Sequence, residues 1–322
     1  MLEKGDRAGG SMLLSSGFVW RHADFEQFRT ECPAGDPALQ RLIFDRVDDG
    51  LRWVESLGAP VVTRATGNQL TRGVQFDTRA LTQALVTAAG EVRLGEPLRE
   101  LPRNAPVVLA TGGFQGDREL VRQHVTPEAD HLLLRANPWS TGDGLRFGLV
   151  AGGTTSAGMD EFYGRNMPAP PAQPDETEFV PLSQLYARHA TVFAGDDTFE
   201  TQTWSEIDVV QWTARRPEAR AWYRVPNNRL PERVRHRTVA DMIAAAEAAD
   251  GPVERGESAV TVGVRAGITT TIGGLSIDAN CRVADGVFAA GADAGGVMTG
   301  GYSSGLAAAL VLGMVAAEEA LA

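Results

Sequence analysis

Cysteine is almost absent from this chain: Cys32 and Cys281 are the only two in 322 residues. They stand far apart with no Cys or His at ligand spacing, which excludes a disulfide framework and a cysteine-based zinc site. Both are expected to be reduced structural thiols, and no metal is expected. No apolar run reaches the roughly 18 to 20 residues that span a bilayer, and MLEKGDRAGG has no signal-peptide character. Runs of Lys or Arg are also missing, and the formal net charge is -11. Nothing in the chain therefore favours a nucleic-acid backbone or an anionic membrane. These absences lead to the expectation of a cytoplasmic protein that meets a small-molecule substrate.

What is present suits a large core. With 43% hydrophobic and 22% charged residues, the chain is long enough for two globular domains. In ALQRLIFDRVDDGLRWVESL, residues 38–57, Leu39, Leu42, Ile43, Val47, Leu51, Val54 and Leu57 recur at spacings of three and four, which predicts one apolar helix face. A second helix is predicted from Arg79 to Ala89. The segment APVVLATGGF reads as a buried strand, Pro106 to Ala110, entering a turn at Gly112 and Gly113. TGDGLRFGLVAGG predicts a glycine turn that opens a helix, and the proline-rich MPAPPAQPDE marks a boundary near Asp160. A mixed α+β stretch follows, with a helix at Val239 to Ala249 and β-like runs around Ala259 to Val264. The chain then returns to strand and turn in GITTTIGGLSID, to a strand ending in glycines in GVFAAGADAGG, and to a long closing helix in SGLAAALVLGMVAAEEALA that begins at a glycine-rich turn. Alternation of helix, strand and glycine turn predicts an α/β sheet.

Backbone N–H groups at a helix N-terminus stabilise phosphate or a polarised ring oxygen, and glycine lets the ligand approach them. Turns at Gly112, Gly142 and Gly305 are candidates for this role. Each alone is also explained as a tight turn or a helix cap.

Taken together, VVLATGGFQGDRELV, TGDGLRFGLVAGG, MDEFYG, FVPLSQLYAR and GGLSID…DGVFAAGADAGG…GLAAALVLG resemble the fumarate reductase and succinate dehydrogenase flavoproteins. The resemblance implies a Rossmann-like FAD-binding domain with an inserted α+β capping domain: residues 1–159 and 263–322 for FAD, residues 160–262 for capping and substrate. It implies FAD as cofactor and an electron donor or acceptor whose identity the sequence does not reveal. Carried over by position, Glu3 corresponds to the acid that bonds the adenosine ribose, and Gly9, Gly10 and Ser11 pass the pyrophosphate and flavin. Ser15, Ser16 and Gly17 match small residues beside the flavin ring, and Leu98 matches a backbone contact with adenine. Ala110, Thr111 and Gly112 match the second flavin-domain motif, and Asp143 matches a carboxylate that touches the cofactor. Asp293 stands where a glutamate usually bonds the ribityl chain. Gly305 and Leu306 match the pair whose N–H groups face the flavin C2 carbonyl.

The chain also departs from the pattern. The Gly-x-Gly-x-x-Gly fingerprint is absent, because the only Gly-x-Gly, Gly142 and Gly144, leads to Phe147. With Leu2 and Glu3 already at the second strand, about thirty residues of a βαβ start are expected to be missing before Met1. DDTFETQTW lacks the family's proton-donating arginine, GGVMTGGYSSG contains no Arg or His, and Gly300 falls where a clamping arginine belongs. A C4-dicarboxylate substrate is therefore not expected.

Ketosteroid dehydrogenases of the same superfamily use tyrosines instead, and this chain has four. Tyr302 is the best placed, for proton transfer or for packing at the flavin edge. Tyr163 and Arg165 are candidates for the substrate cleft, and His189 reads as structural. The expectation is an FAD-dependent oxidoreductase that moves a hydride between flavin and an activated C–C or C=C bond. The alternative is a non-catalytic remnant that binds FAD weakly or not at all. An NAD-dependent dehydrogenase has no glycine fingerprint to support it.

Overall fold

The computed structural model describes residues 1–322. Contacts divide the chain into two compact units, one formed by Met1–Asp117, Asn137–Glu161 and Thr270–Ala322, the other by Arg118–Ala136 and Phe162–Thr269. The chain passes from the first unit to the second after Glu161 and returns to the first at Thr270. Segment Arg118–Ala136 joins the second unit because Leu133 and Leu134 pair in parallel with Gly267 and Ile268. No local pattern announces such a pairing, since its partners are far apart in the chain.

In the first unit, strand Val107–Leu109 pairs in parallel with Val287–Ala289, which pairs antiparallel with Arg282–Ala284. Val107–Leu109 is the end strand of this sheet. Leu2 forms a separate parallel bridge with Arg93. A second sheet, unforeseen in the sequence, orders Phe18–His22, Thr71–Phe76 and Val61–Thr63 antiparallel.

The predicted helices form where their caps allow. Helix Pro37–Ser56 starts where Asp36 accepts from the amides of Ala38 and Leu39 at 2.8 and 3.0 Å, with Pro37 at its first position. Its buried face carries Leu39, Ile43, Val47, Leu51 and Val54 and packs on helix Gly305–Ala320. Each such side chain contributes about 1.5 to 3 kcal/mol on burial. Helix Thr78–Ala89 is capped by Asp77.

The second unit is built on the strand Ala259–Thr271, one continuous element where the sequence suggested separate short runs. Arg220–Pro226 and Val253–Arg255 pair with it antiparallel, and Thr191–Ala194 continues the sheet. Helix Val239–Ala248 begins with a capping box between Thr238 and Asp241. Its Met242 and Ile243 share a core with Tyr186, Tyr223, Val262 and Val264. No helix is long and apolar enough to cross a membrane.

Candidate cofactor site

Three segments of the first unit converge on one buried carboxylate. Asp293 accepts from the Thr111 amide, from Thr111 Oγ1 at 3.1 Å and from the Gly113 amide at 3.0 Å. Burial pushes its carboxyl up, and these donors pull against that rise. Thr111 Oγ1 also accepts from the Gly144 amide at 2.9 Å, so the 111–113 turn, Asp293 and the start of helix Asp143–Val150 form one network. A side chain at 144 has no room: a Cβ there would lie 2.5 Å from Asp293 Cγ and 2.8 Å from Thr111 Oγ1. Gly112 corrects the sequence reading, for it opens no helix. The next one begins only at Arg118, and the turn closes on Asp293 instead.

Gly142 caps helix Asp143–Val150, and Asp143 is its first residue. The Asp143 carboxylate is held by Lys4, and by Arg146 at 2.8 Å. Burial alone would raise this carboxyl, but the two cations outweigh it and hold the group below the usual carboxylate range. Lys4 also donates to Thr141 Oγ1 at 2.6 Å. Lys4, Asp143 and Arg146 line a cavity of about 570 Å³ with Leu98, Arg99 and Phe147. Leu98 and Asp143, both assigned to the cofactor by the family resemblance, line the same cavity. Lys4, Arg99 and Arg146 were not foreseen, because isolated cations in a sequence look like solvated surface.

The candidate positions near the N-terminus have both local and distant partners. Glu3 accepts from the Gly5 amide at 2.7 Å, and Ser11 Oγ accepts from Asn137 Nδ2 at 2.9 Å. Gly9 precedes a short 3-10 turn, Gly10–Met12. Ser15 Oγ accepts from the Gly17 amide at 3.1 Å, while Ser16 is exposed and its carbonyl accepts from Gln75. Ala110 follows strand Val107–Leu109 and leads into the turn.

The remaining first-unit candidates sit together at the start of helix Gly305–Ala320. Ser304 is its N-cap, its Oγ accepting from the Ala307 amide at 3.2 Å. Gly305 and Leu306 are the first two helical residues, so their N–H groups have no intrahelical partner and carry the positive end of the helix dipole. Tyr302 lies just before them, half-buried, with its ring edge-on to Trp20 at 5.6 Å. Gly301 packs so tightly on the Glu31 carbonyl that no side chain fits. The Ser304 cap was legible as a serine ahead of an apolar run; the Trp20 contact was not.

In the second unit, Arg165 is buried beside Tyr163, its guanidinium 4.9 Å from the Tyr163 ring centre, and it donates to the Ser205 carbonyl. The neighbouring Glu206 is buried and left-handed at φ 56°, with Oε2 lacking a partner. Burial raises its carboxyl, against the pull of Arg165 and Arg188. His189 stands in a short 3-10 turn, Ala187–His189. Cys32 and Cys281 are buried, and burial pushes both thiols up to about 12. No group of three or more His, Cys, Asp or Glu is arranged to hold a metal ion.

Comparison with known proteins bears on this geometry. The family model described as FAD binding domain matches residues 58–306. No curated protein matches the sequence. Among solved structures, an open flavocytochrome c3 fumarate reductase aligns with a TM-score of 0.70 at 20% identity, over 99% of this chain and 73% of its own. The 3-ketosteroid-Δ4-(5α)-dehydrogenase of Rhodococcus jostii RHA1, in complex with 4-androstene-3,17-dione, aligns with a TM-score of 0.68 at 16% identity, over 100% of this chain and 91% of its own. A 3-ketosteroid Δ1-dehydrogenase from Sterolibacterium denitrificans gives 0.67 at 14% identity, covering 99% and 94% of the two chains. These likenesses fix the fold as that of an FAD-binding flavoprotein. With more than half its length matched by the family model, the chain belongs to the FAD binding domain family.

Proposed function

We propose that this protein is an FAD-dependent oxidoreductase moving a hydride between flavin and an activated C–C or C=C bond of a small carbonyl compound, not fumarate. The observation that carries this reading is the placement of Tyr302 directly before the free N–H groups of Gly305 and Leu306. A turn with a phenol and no arginine or histidine suits a neutral carbonyl better than a dicarboxylate. The ketosteroid dehydrogenases named above are consistent with that preference.

The residues present fit FAD. The cavity offers the apolar faces of Leu98 and Phe147, the carboxylate of Asp143 and three cations, a donor set suited to an adenosine and its phosphates. Glu3 and the small residues Gly9, Gly10, Ser11, Ser16 and Gly17 are assigned to the same cofactor. Ala110, Thr111 and Gly112 form the turn that Asp293 fastens, which assigns Asp293 a supporting role through that turn. When bound, FAD supplies the two-electron redox chemistry. Gly305 and Leu306 direct N–H groups at an oxygen that gains negative charge. Tyr302 holds or moves a proton at its phenolic oxygen, and Tyr163 and Arg165 orient the substrate. We assign residues 160–262 the substrate-capping role and the protein to the cytoplasm.

Purified protein should be yellow and should oxidise a 3-keto steroid such as 4-androstene-3,17-dione with an artificial electron acceptor, while ignoring fumarate with a reduced dye. A yellow protein that reduces fumarate would overturn the substrate class. The competing reading, a chain that holds FAD weakly or not at all, draws on the unpaired edge of strand Val107–Leu109. Colourless protein that takes up no added FAD would favour it.

A further inference from the structure

The turn that carries Tyr302 is fixed along its backbone. The Gly300 amide donates to Glu161 Oε2 at 2.8 Å, the Gly301 amide donates to the Met298 carbonyl at 3.0 Å, and Gly301 rests against the carbonyl of Glu31. What these contacts leave open is the direction of the Tyr302 side chain. That direction matters, because a proton-transferring oxygen works only within hydrogen-bond reach of its target.

Strand Phe18–His22 meets this turn twice through one residue. The Trp20 ring lies edge-on to the Tyr302 ring, at 5.6 Å and 60°. The Trp20 amide donates to Ser304 Oγ at 3.3 Å, the same oxygen that caps helix Gly305–Ala320. Trp20 is itself buried and held in place, with His22 edge-on at 5.3 Å and His22 in turn stacked on Phe28 at 5.1 Å. A fixed indole can therefore select one direction of the neighbouring phenol. Edge-to-face aromatic contacts favour one arrangement by roughly two- to twelvefold.

We propose that Trp20 is a positioning residue for Tyr302, its indole setting the direction of the phenol and its amide setting the cap from which the helix starts. This rests on the reading of Tyr302 as the proton-transferring group. As a positioning residue Trp20 needs no contact of its own with substrate or cofactor. Its effect passes through Tyr302 and Ser304.

The test labels the full-length protein with 3-fluorotyrosine and records fluorine NMR spectra. Four tyrosines give four resonances, and Tyr302→Phe identifies the relevant one. Trp20→Leu should move the Tyr302 resonance and leave the other three in place, and Trp20→Phe should restore most of its position. In the flavin-loaded enzyme, Trp20→Leu should lower kcat about fivefold to tenfold with little change in KM. If Trp20→Leu does not fold, Trp20→Phe and Ser304→Ala still separate the ring contact from the cap. A Tyr302 resonance that stays put, or four resonances that shift together, would overturn the proposal. If instead the resonance moves but Tyr302→Phe retains full turnover, the proton-transfer role of Tyr302 fails while the positioning by Trp20 stands.

Discussion

Replacing Gly144 by alanine sets two physical expectations against each other. Gly144 is the second residue of helix Asp143–Val150, and helix propensity alone favours alanine by up to about 1 kcal/mol. Tertiary packing opposes the change. The added Cβ would lie 2.5 Å from Asp293 Cγ and 2.8 Å from Thr111 Oγ1, so the carboxylate has to withdraw from the Thr111 and Gly113 amides. Overpacking costs about 1 to 3 kcal/mol, and a lost hydrogen bond to a charged group costs about 1.5 to 3 more. Packing wins, with a net loss of about 3 kcal/mol after the propensity gain. For a unit of this size that corresponds to a fall in Tm of roughly 6 to 12 °C. Differential scanning calorimetry of the flavin-free protein reads it directly. A control comes from the double variant: in an Asp293→Gly background the nearest obstruction is gone and only the Thr111 Oγ1 contact at 2.8 Å remains, so Gly144→Ala should cost clearly less than in the parent. A single variant as stable as the parent would show that the Thr111–Asp293–Gly144 network does not exist as described.

Other outcomes follow from the same structure. Burial lowers the His22 pKa to about 4, against the pull of Asp24 and the Tyr302 backbone; the folded value lies below the unfolded one, so His22 contributes stability above pH ~6.5 that is lost as the pH falls towards 4. About 3 kcal/mol is at stake, so His22→Phe should flatten the acid limb of a Tm–pH curve; an unchanged limb would refute it. Glu206 has a raised pKa through burial, so its favourable share is present at low pH and lost as pH rises through the folded value; Glu206→Gln should gain on the parent towards alkaline pH, and parallel curves would contradict this. Asp143→Ala should weaken FAD retention about tenfold in a fluorescence titration, and undiminished affinity would remove Asp143 from the cofactor site. Tyr302→Phe should cut turnover by about 10²- to 10⁴-fold with FAD content unchanged, and full turnover would end its catalytic role.

The sequence by itself determined the features that neighbouring residues settle. Leu39, Ile43, Val47, Leu51 and Val54 mark the buried helix face because a helix returns the same side every three or four residues. Asp36 and Ser304 set helix starts because a side-chain oxygen reaches an amide two or three positions on. The glycine turns at Gly112 and at Gly142 were each readable from their own short segments, whereas the assignment of Thr111 and Asp143 to a cofactor rested on resemblance to a family. Tertiary structure alone decided that Lys4 answers Asp143 across 139 positions, that Trp20 reaches Ser304 across 284, and that Arg118–Ala136 joins the second unit. It also turned Gly112 from an expected helix opening into a turn fastened by Asp293. Local pattern is written by backbone geometry over a few residues, whereas these pairings depend on how distant strands cross, and no short stretch of sequence carries that information.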